Sequence, residues 1–310
     1  MKTVIGIDVG KFELETYIKN KSLTLKNNDS GIKKFLRLLS KENKNLLNSF
    51  IIFEATGGYE CLLKKKLEEN NIPYHMAHPN KVRAFAKAKG LLAKTDKIDA
   101  KLLANYGDVM KPTADLCQDN AEIKELLKRR EQLLEEKNRE KNRSDKELND
   151  LVRRSIKKHL KWLDNEIDII EKQLKQLSKE DSNQNQMKLL TSIPGIGDLT
   201  AMYILSYLPE IKTANKSQLA ALTGIAPMNY DSGSYRGKRF IQGGRAPLRK
   251  ALYMSAVPSI KFNMQMKSFY ERLRANGKTA KVALVGVMRK LLLLAASIIK
   301  RGTPWVYQDC

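Results

Sequence analysis

The chain has 310 residues, of which 42% are hydrophobic, so it is long and apolar enough for a sizeable core and two domains. Its net charge is +23, and residues 187–310 hold 19 Lys and Arg against 5 Asp and Glu, which indicates a phosphate-backbone partner. The opening MKTVIGID resembles no secretory signal, residues 291–299 are too short an apolar run to span a bilayer, and no CxxC pair occurs. These features exclude secreted, membrane-spanning and thiolate-zinc proteins and predict a cytoplasmic protein.

The first 115 residues alternate strand and helix patterns. Strands are predicted at residues 3–9, 12–18 and 22–26, followed by a helix at 31–42, a strand at 49–55, a helix at 59–70 and a strand at 73–77. Three early strands followed by alternation predict an α/β domain over residues 1–115, with a sheet that begins as a meander.

Residues 116–186 form a second region with few glycines and prolines and many charges of both signs. Apolar residues recur there at steps of three and four, at Leu160, Leu163, Ile167, Ile170, Leu174 and Leu177. This heptad pattern predicts a coiled coil or a long antiparallel helical hairpin that serves as a spacer. Residues 135–147 contain no apolar residue and are predicted to be its tip. Oligomerisation through the heptad seam is a further hypothesis.

The third region, residues 187–310, is basic and predicted to be mostly helical. The segment 192-SIPGIG-197 lies between two helical stretches and has the pattern of a helix-hairpin-helix turn. Such turns direct backbone N–H groups at nucleic-acid phosphates, so Gly195 and Gly197 are predicted nucleic-acid contacts. A plain interhelical turn is the alternative.

Four carboxylates are candidates for a metal site. Asp8 lies in an apolar strand and Glu54 ends another, and strand-end acids at the edge of an α/β sheet are typical of active sites. Asp96 and Asp99 follow the predicted N-cap Thr95 and share one helix face. Individually they also fit ion pairs or helix-start chemistry. Together they offer four hard oxygen donors suited to Mg²⁺ or Mn²⁺.

Ser232 lies in a glycine-flanked loop and is the candidate nucleophile of the third region. Basic residues follow it closely, and they are predicted to bind nucleic acid: Arg236, Lys238, Arg239, Arg245 and Arg249. No histidine occurs in residues 187–310, so a local Ser-His-Asp hydrolase is excluded. A hydroxyl that only contacts phosphate is the alternative.

The motifs GIDVGK, FEATGGYE and AKTDKIDAKLLA, in this order, resemble the DEDD catalytic set of a RuvC-like (RNase H-fold) domain. More narrowly, they resemble the insertion-sequence 110 family of transposases, described as bridge-RNA-guided recombinases. Residues 226–256 resemble the C-terminal domain of that family. The resemblance implies that the four acids bind metal and that Ser232 forms a covalent link to DNA. Ser234 is a second candidate, because the residues after Gly233 depart from the pattern of some relatives.

The resemblance further implies donor and target DNA and a guide RNA as partners, and a homo-oligomer, either a dimer or a tetramer. Two rival functions remain open from the sequence. One is a metal-dependent RuvC-like endonuclease that hydrolyses DNA, and the other is a non-catalytic nucleic-acid-binding scaffold. A sugar kinase of the actin-like fold is a distant third, because GIDVGK lacks the Ser or Thr expected just after the glycine.

Overall fold

The computed structural model describes residues 3–42, 48–91, 96–115, 121–146, 149–179, 181–228, 231–232, 235–237 and 239–306. The chain divides into two compact units, residues 1–117 and residues 118–310. The predicted boundary at residue 115 falls close to this division.

The first unit is built on a five-stranded sheet with the strand order β3-β2-β1-β4-β5. Its strands are β1 (Thr3–Val9), β2 (Glu13–Ile18), β3 (Lys21–Lys26), β4 (Ser49–Glu54) and β5 (Tyr74–Ala77). The first three strands are antiparallel neighbours, whereas β4 runs parallel to β1 and β5 runs parallel to β4. Lys19 and Asn20 connect β2 to β3 with positive φ angles of 45° and 66°, as a tight type I′ hairpin requires.

Four helices cover both faces of this sheet. They are α1 (Asp29–Glu42), α2 (Cys61–Glu69), α3 (Pro79–Ala88) and α4 (Asp96–Met110). Because side chains alternate along a strand, Ile51 and Phe53 of β4 pack on one face with α1 and α2, whereas Phe50 and Ile52 pack on the other with α3 and α4. The mixed α/β sheet is compatible with the predicted RNase H-like class.

The second unit begins with an antiparallel helical hairpin formed by α5 (Ala121–Ser144) and α6 (Asp150–Leu177). The two helices are joined in antiparallel order by the ion pairs Arg130–Glu171 and Lys137–Asp164 and by a contact of 2.8 Å between His159 Nδ1 and Glu140 Oε1. Leu133, Leu163 and Ile167 are buried between the helices. The predicted tip, residues 135–147, is helical as far as Ser144.

The remaining elements of the second unit are mostly helices. They are α7 (Asp181–Thr191), α8 (Asp198–Tyr207), a 3-10 helix (Pro209–Lys212), α9 (Lys216–Thr223), α10 (Ala246–Phe262), α11 (Met264–Ala275) and α12 (Ala280–Arg301). Four two-residue strands lie between α9 and α10: β6 (Pro227–Met228), β7 (Asp231–Ser232), β8 (Tyr235–Arg236) and β9 (Phe240–Ile241).

Helix α12 is the central core helix of the second unit. By length and composition it could cross a membrane, yet Val287, Leu291 and Ala295 are fully buried inside the unit. Ile123 and Leu174, from the base of the α5–α6 hairpin, belong to the same core. The predicted spacer and the predicted C-terminal domain therefore share one hydrophobic core.

Candidate functional sites

Asp8 and Glu54 lie at the carboxyl ends of two neighbouring parallel strands. The register pairs Ile7 of β1 with Phe53 of β4, so the next residue on each strand is one of these acids. Val4 and Ile52 face α4, because each would meet a Cβ atom placed on Gly107 of that helix. Since every second side chain of a strand shares a face, Asp8 and Glu54 lie on the α4 side of the sheet.

Helix α4 begins at the same edge of the sheet. A Cβ atom on Gly6 would lie 1.9 Å from the carbonyl oxygen of Ala100, whereas Gly107, two turns later, lies over Val4. The helix therefore runs opposite to β1, and its N-terminal turns lie near the end of the strand that carries Asp8. Asp99, one residue before Ala100, is half-buried there.

Three of the four predicted acids thus have described side chains on one edge of the sheet. Asp8, Glu54 and Asp99 are each half-buried, and the side chain of Asp96 lies outside the described residues. Within the described part of the chain, no three His, Cys, Asp or Glu side chains are close enough together to hold a metal ion. The donor set is chemically suited to a hard divalent cation, because every candidate ligand atom is a carboxylate oxygen.

The loop after β4 is shaped by Glu60, a residue that the sequence motifs did not single out. Its Oε2 accepts hydrogen bonds from the Thr56 N–H (3.1 Å), the Thr56 hydroxyl (3.0 Å) and the Gly58 N–H (2.9 Å). Burial raises the pKa of Glu60, but these bonds and one from its own N–H outweigh it and hold the pKa below its ordinary value. Gly57 and Gly58 have φ angles of +81° and +129°, which favour glycine.

Asn27 joins the two loops that follow the acid-bearing strands. Its Nδ2 donates to the Gly10 carbonyl at 2.8 Å and to the Tyr59 carbonyl at 3.0 Å. Gly10 follows β1, and Tyr59 lies in the loop after β4. This amide therefore fixes the separation of the two strand ends.

The predicted nucleophile Ser232 lies on a small β-hairpin of the second unit. Strands β6 and β9 form its outer pair and β7 and β8 its inner pair, in which Ser232 opposes Tyr235. The Ser232 side chain is exposed. Gly233 and Ser234, the second candidate nucleophile, lie outside the described residues.

A groove of about 880 Å³ lies beside this hairpin. Phe240, Tyr253 and Val282 give it apolar and aromatic walls, and Arg239 and Lys281 are among its basic residues. Arg239 is exposed, whereas the side chain of Arg236 and all of Lys238 lie outside the described residues. Aromatic rings beside cations are the surface chemistry that unpaired bases and phosphates bind.

Two predicted nucleic-acid contacts, Arg245 and Arg249, bind other parts of the unit. Both terminal nitrogens of Arg245 donate to the Glu210 carboxylate, each at 2.6 Å, and Nη1 also donates to the Tyr207 carbonyl at 2.8 Å. Arg249 Nη1 donates to the Gly243 carbonyl. These bonds fasten the loop after β9 to the helices beneath it, and phosphate binding by either arginine stays a prediction.

The two glycines of the predicted helix-hairpin-helix turn have different surroundings. Gly195 has a φ angle of +103°, and a Cβ atom there would lie 1.8 Å from the Ser259 hydroxyl of α10. Gly197 is the N-cap of α8, is exposed, and has no atom within 4 Å of its Cβ position. Gly195 therefore packs closely against α10 while remaining half-exposed, and phosphate binding by either glycine stays a prediction.

Comparison with known proteins adds independent information on both units. A family model described as "Transposase", of the DEDD IS110 type, matches residues 5–152, and one described as "Transposase IS116/IS110/IS902 family" matches residues 187–271. A protein named "Pilin gene-inverting protein" from Moraxella lacunata is 31% identical over 98% of both chains, as is its namesake from Moraxella bovis. The IS110 43.6 kDa protein of Streptomyces coelicolor is 31% identical over 37% of this chain and 29% of its own.

Proposed function

This chain belongs to the IS110 family of transposases and is an enzyme of DNA recombination, and from that premise we propose that it rejoins DNA through a phosphoserine intermediate on Ser232. We propose further that Asp8, Glu54, Asp96 and Asp99 hold Mg²⁺ or Mn²⁺. The observation that supports this most is the close approach of α4 to β1, which brings Asp99 to the edge that carries Asp8 and Glu54. The exposure of Ser232 supports its role as nucleophile.

The proposed reaction has two balanced steps. Ser232 Oγ attacks a DNA phosphorus, the Oγ–P bond forms as the P–O3′ bond breaks, and the serine proton passes to the released 3′-oxygen. A 3′-hydroxyl of another strand then attacks the phosphoserine, and Ser232 regains its proton. A divalent cation, when bound, supplies positive charge to the phosphate during both steps. The acids belong to the first unit and the serine to the second.

The names of two relatives favour rejoining of the DNA strands over hydrolysis. Two relatives that match nearly the whole chain are named for inverting a pilin gene, and inversion requires that each cut end be joined to a new partner. The hydrolytic endonuclease is the alternative that the trapping experiment below separates from rejoining.

A guide RNA and a homo-oligomer are part of the proposal. The excess positive charge of residues 187–310 supports binding of a polyanion, either DNA or RNA. Large apolar residues exposed on α6, among them Leu151, Trp162 and Ile169, support assembly of a dimer or tetramer through the hairpin. The cytoplasmic location predicted from the sequence gives the protein access to both nucleic acids.

The decisive experiment traps the covalent intermediate. The protein is mixed with guide RNA and nicked target DNA labelled at its end, denatured, and resolved by gel electrophoresis. We expect a protein–DNA adduct with the wild type and with Ser234→Ala, and none with Ser232→Ala. An adduct that persists in Ser232→Ala and is lost in Ser234→Ala would move the nucleophile to Ser234. Free 5′-phosphate products without any adduct would establish the hydrolytic alternative.

A further inference from the structure

Glu15 is a buried carboxylate that has no role in the reaction proposed above. It lies in the middle of β2, where its side chain is only 6% exposed. In the antiparallel register it stands directly opposite Asp8 of β1. Glu13, two residues earlier on the same strand, is exposed to solvent, so burial is a property of this one acid and not of the strand.

Only one oxygen of this carboxylate has a hydrogen-bond partner. The hydroxyl of Thr24 on β3 donates to Glu15 Oε2 at 2.5 Å. Oε1 is buried, and no described group donates a hydrogen bond to it. A buried carboxylate oxygen without a donor is unfavourable, and native proteins usually satisfy such an atom with water or a cation.

Glu15 lies on the same face of the sheet as the proposed metal ligands. Residues directly opposite each other in an antiparallel pair share a face, so Glu15 and Asp8 do. Tyr17, the next residue of β2 on that face, lies beneath α4, where Lys101 Nζ is 5.9 Å from its ring centroid. Glu15 is one strand step from Tyr17 toward the N-terminal end of α4, which carries Asp99.

We propose that Glu15 is a fifth carboxylate of the metal site, and this rests on the proposed function of Asp8, Glu54, Asp96 and Asp99. Oε1 accepts a hydrogen bond from a water molecule bound to the divalent cation, while Thr24 fixes the other oxygen and so the orientation of the carboxylate. Such a water molecule supplies the hydrogen-bond donor that Oε1 lacks among the described groups.

The test measures Mn²⁺ binding to the metal-free full-length protein by isothermal titration calorimetry, without nucleic acid. Glu15→Gln keeps the shape of the side chain and an oxygen for Thr24 but removes the charge. We expect it to weaken Mn²⁺ binding at least about tenfold, as the loss of outer-shell partners does in other metal sites. The metal-free variant should melt at or above the wild-type temperature, because a buried charge is gone. Glu13→Gln, with the same charge change on the same strand, should bind Mn²⁺ like the wild type.

Three outcomes decide between the inference and the proposed function. If Asp8→Asn weakens Mn²⁺ binding and Glu15→Gln does not, the inference about Glu15 is wrong and the four-acid site stands. If Asp8→Asn also leaves binding unchanged, or the wild type binds no Mn²⁺, the metal site itself is wrong. If Glu15→Gln fails to fold, Thr24→Val is measured instead, because it retains the charge and frees the carboxylate. Unchanged binding in Thr24→Val would then overturn the inference, and weakened binding would support it.

Discussion

Gly6 of β1 and Ala100 of α4 meet backbone to backbone. A Cβ atom on Gly6 would lie 1.9 Å from the Ala100 carbonyl oxygen and 2.5 Å from the Ala104 nitrogen, both of which are main-chain atoms of a helix. Ala100 is fully buried and follows Asp99 directly. The distance between the end of β1 and the start of α4 therefore depends on the absence of a side chain at position 6.

Replacement of Gly6 by alanine should displace α4 and with it Asp99. We expect a loss of about 1–3 kcal/mol in the free energy of unfolding, since overpacking forces backbone shifts. Recombination activity should fall by a larger factor than the fraction of folded protein does. Urea unfolding and a recombination assay on the same samples measure both quantities. Gly197→Ala is the stability control, because its Cβ meets no atom within 4 Å at a φ of −89°. Full recombination by Gly6→Ala would show that the spacing is not critical.

Asp99→Asn should abolish recombination without unfolding the protein. The substitution preserves shape but removes a charge from the proposed metal site, and we expect a rate loss of about 10²-fold or more. Thermal melting should be unchanged or slightly raised, because fewer like charges then share the sheet edge. Asp108→Asn is the matched control, since Asp108 is exposed near the other end of α4. Chelation of divalent cations should stop the wild type. Activity that survives chelation would assign the acids a structural role.

Arg245 and Glu210 should act as a structural pair. Arg245→Ala and Glu210→Ala should each lower stability by about 1–3 kcal/mol, because each leaves a partly buried charge without its bidentate partner. In a double-mutant cycle the two changes should be coupled by about 1 kcal/mol. DNA affinity measured at several salt concentrations tests separately whether an arginine contacts a phosphate. Arg239→Ala should lower the slope of log affinity against log salt concentration by about one, and Arg245→Ala should lower it less, because Glu210 already pairs with the Arg245 guanidinium. An equal effect of both would make Arg245 a phosphate contact.

The pH dependence of stability should report on Glu60. Its folded-state pKa lies below the ordinary value of 4.5, so the ionised carboxylate stabilises the fold above that value. This contribution is lost as the pH falls through the folded-state pKa. Between about pH 5 and pH 3, the wild type should therefore lose stability more steeply than Glu60→Gln. Chemical unfolding at a series of pH values measures the two slopes. Parallel slopes would show that the loop does not favour the ionised form of Glu60.

The exposed apolar side chains of α6 should control assembly. Trp162→Ser and Ile169→Ser change residues that are 49% and 57% exposed, so the monomer fold should be little affected. If the hairpin carries the interface, light scattering should show a shift to smaller species at equal protein concentration. Leu163→Ser is a contrasting variant, because Leu163 is buried within the hairpin and its loss should lower stability instead. A wild type that remains monomeric at high concentration would contradict assembly through α6.

The strand and helix order of the first unit could be predicted from periodicity, and so could the positions of Asp8 and Glu54 at strand ends. The direction of α4 could not, because it depends on a contact between Gly6 and Ala100, which are far apart in the chain. Glu60 was missed because only Glu54 of the FEATGGYE motif ends a predicted strand, and no local pattern marks the second glutamate. Its role appears only when the Thr56 and Gly58 donors are placed around it.

For two other residues, a neighbour that is distant in the chain decides what the charged side chain does. Arg245 has the sequence context of a phosphate contact, but Glu210, 35 residues earlier, takes up its guanidinium. By the alternation of polar and apolar residues along β2, Glu15 would face solvent. Helix α4 covers that face of the sheet, however, and Glu15 is buried. In both cases the local sequence pattern predicts the strand or loop correctly, but the partner of the charged side chain comes from a tertiary contact.

The Asn27 amide has a consequence for the metal-free enzyme. Carboxylates at one sheet edge repel each other when no cation lies between them, and this repulsion acts to spread the ends of β1 and β4. The bonds from Asn27 to the Gly10 and Tyr59 carbonyls resist that spreading. Because an amide carries no charge, this restraint keeps its strength across changes of salt and acidity that alter every ionic contact nearby. Asn27 therefore restrains the two strand ends whether or not a cation is bound at the proposed site.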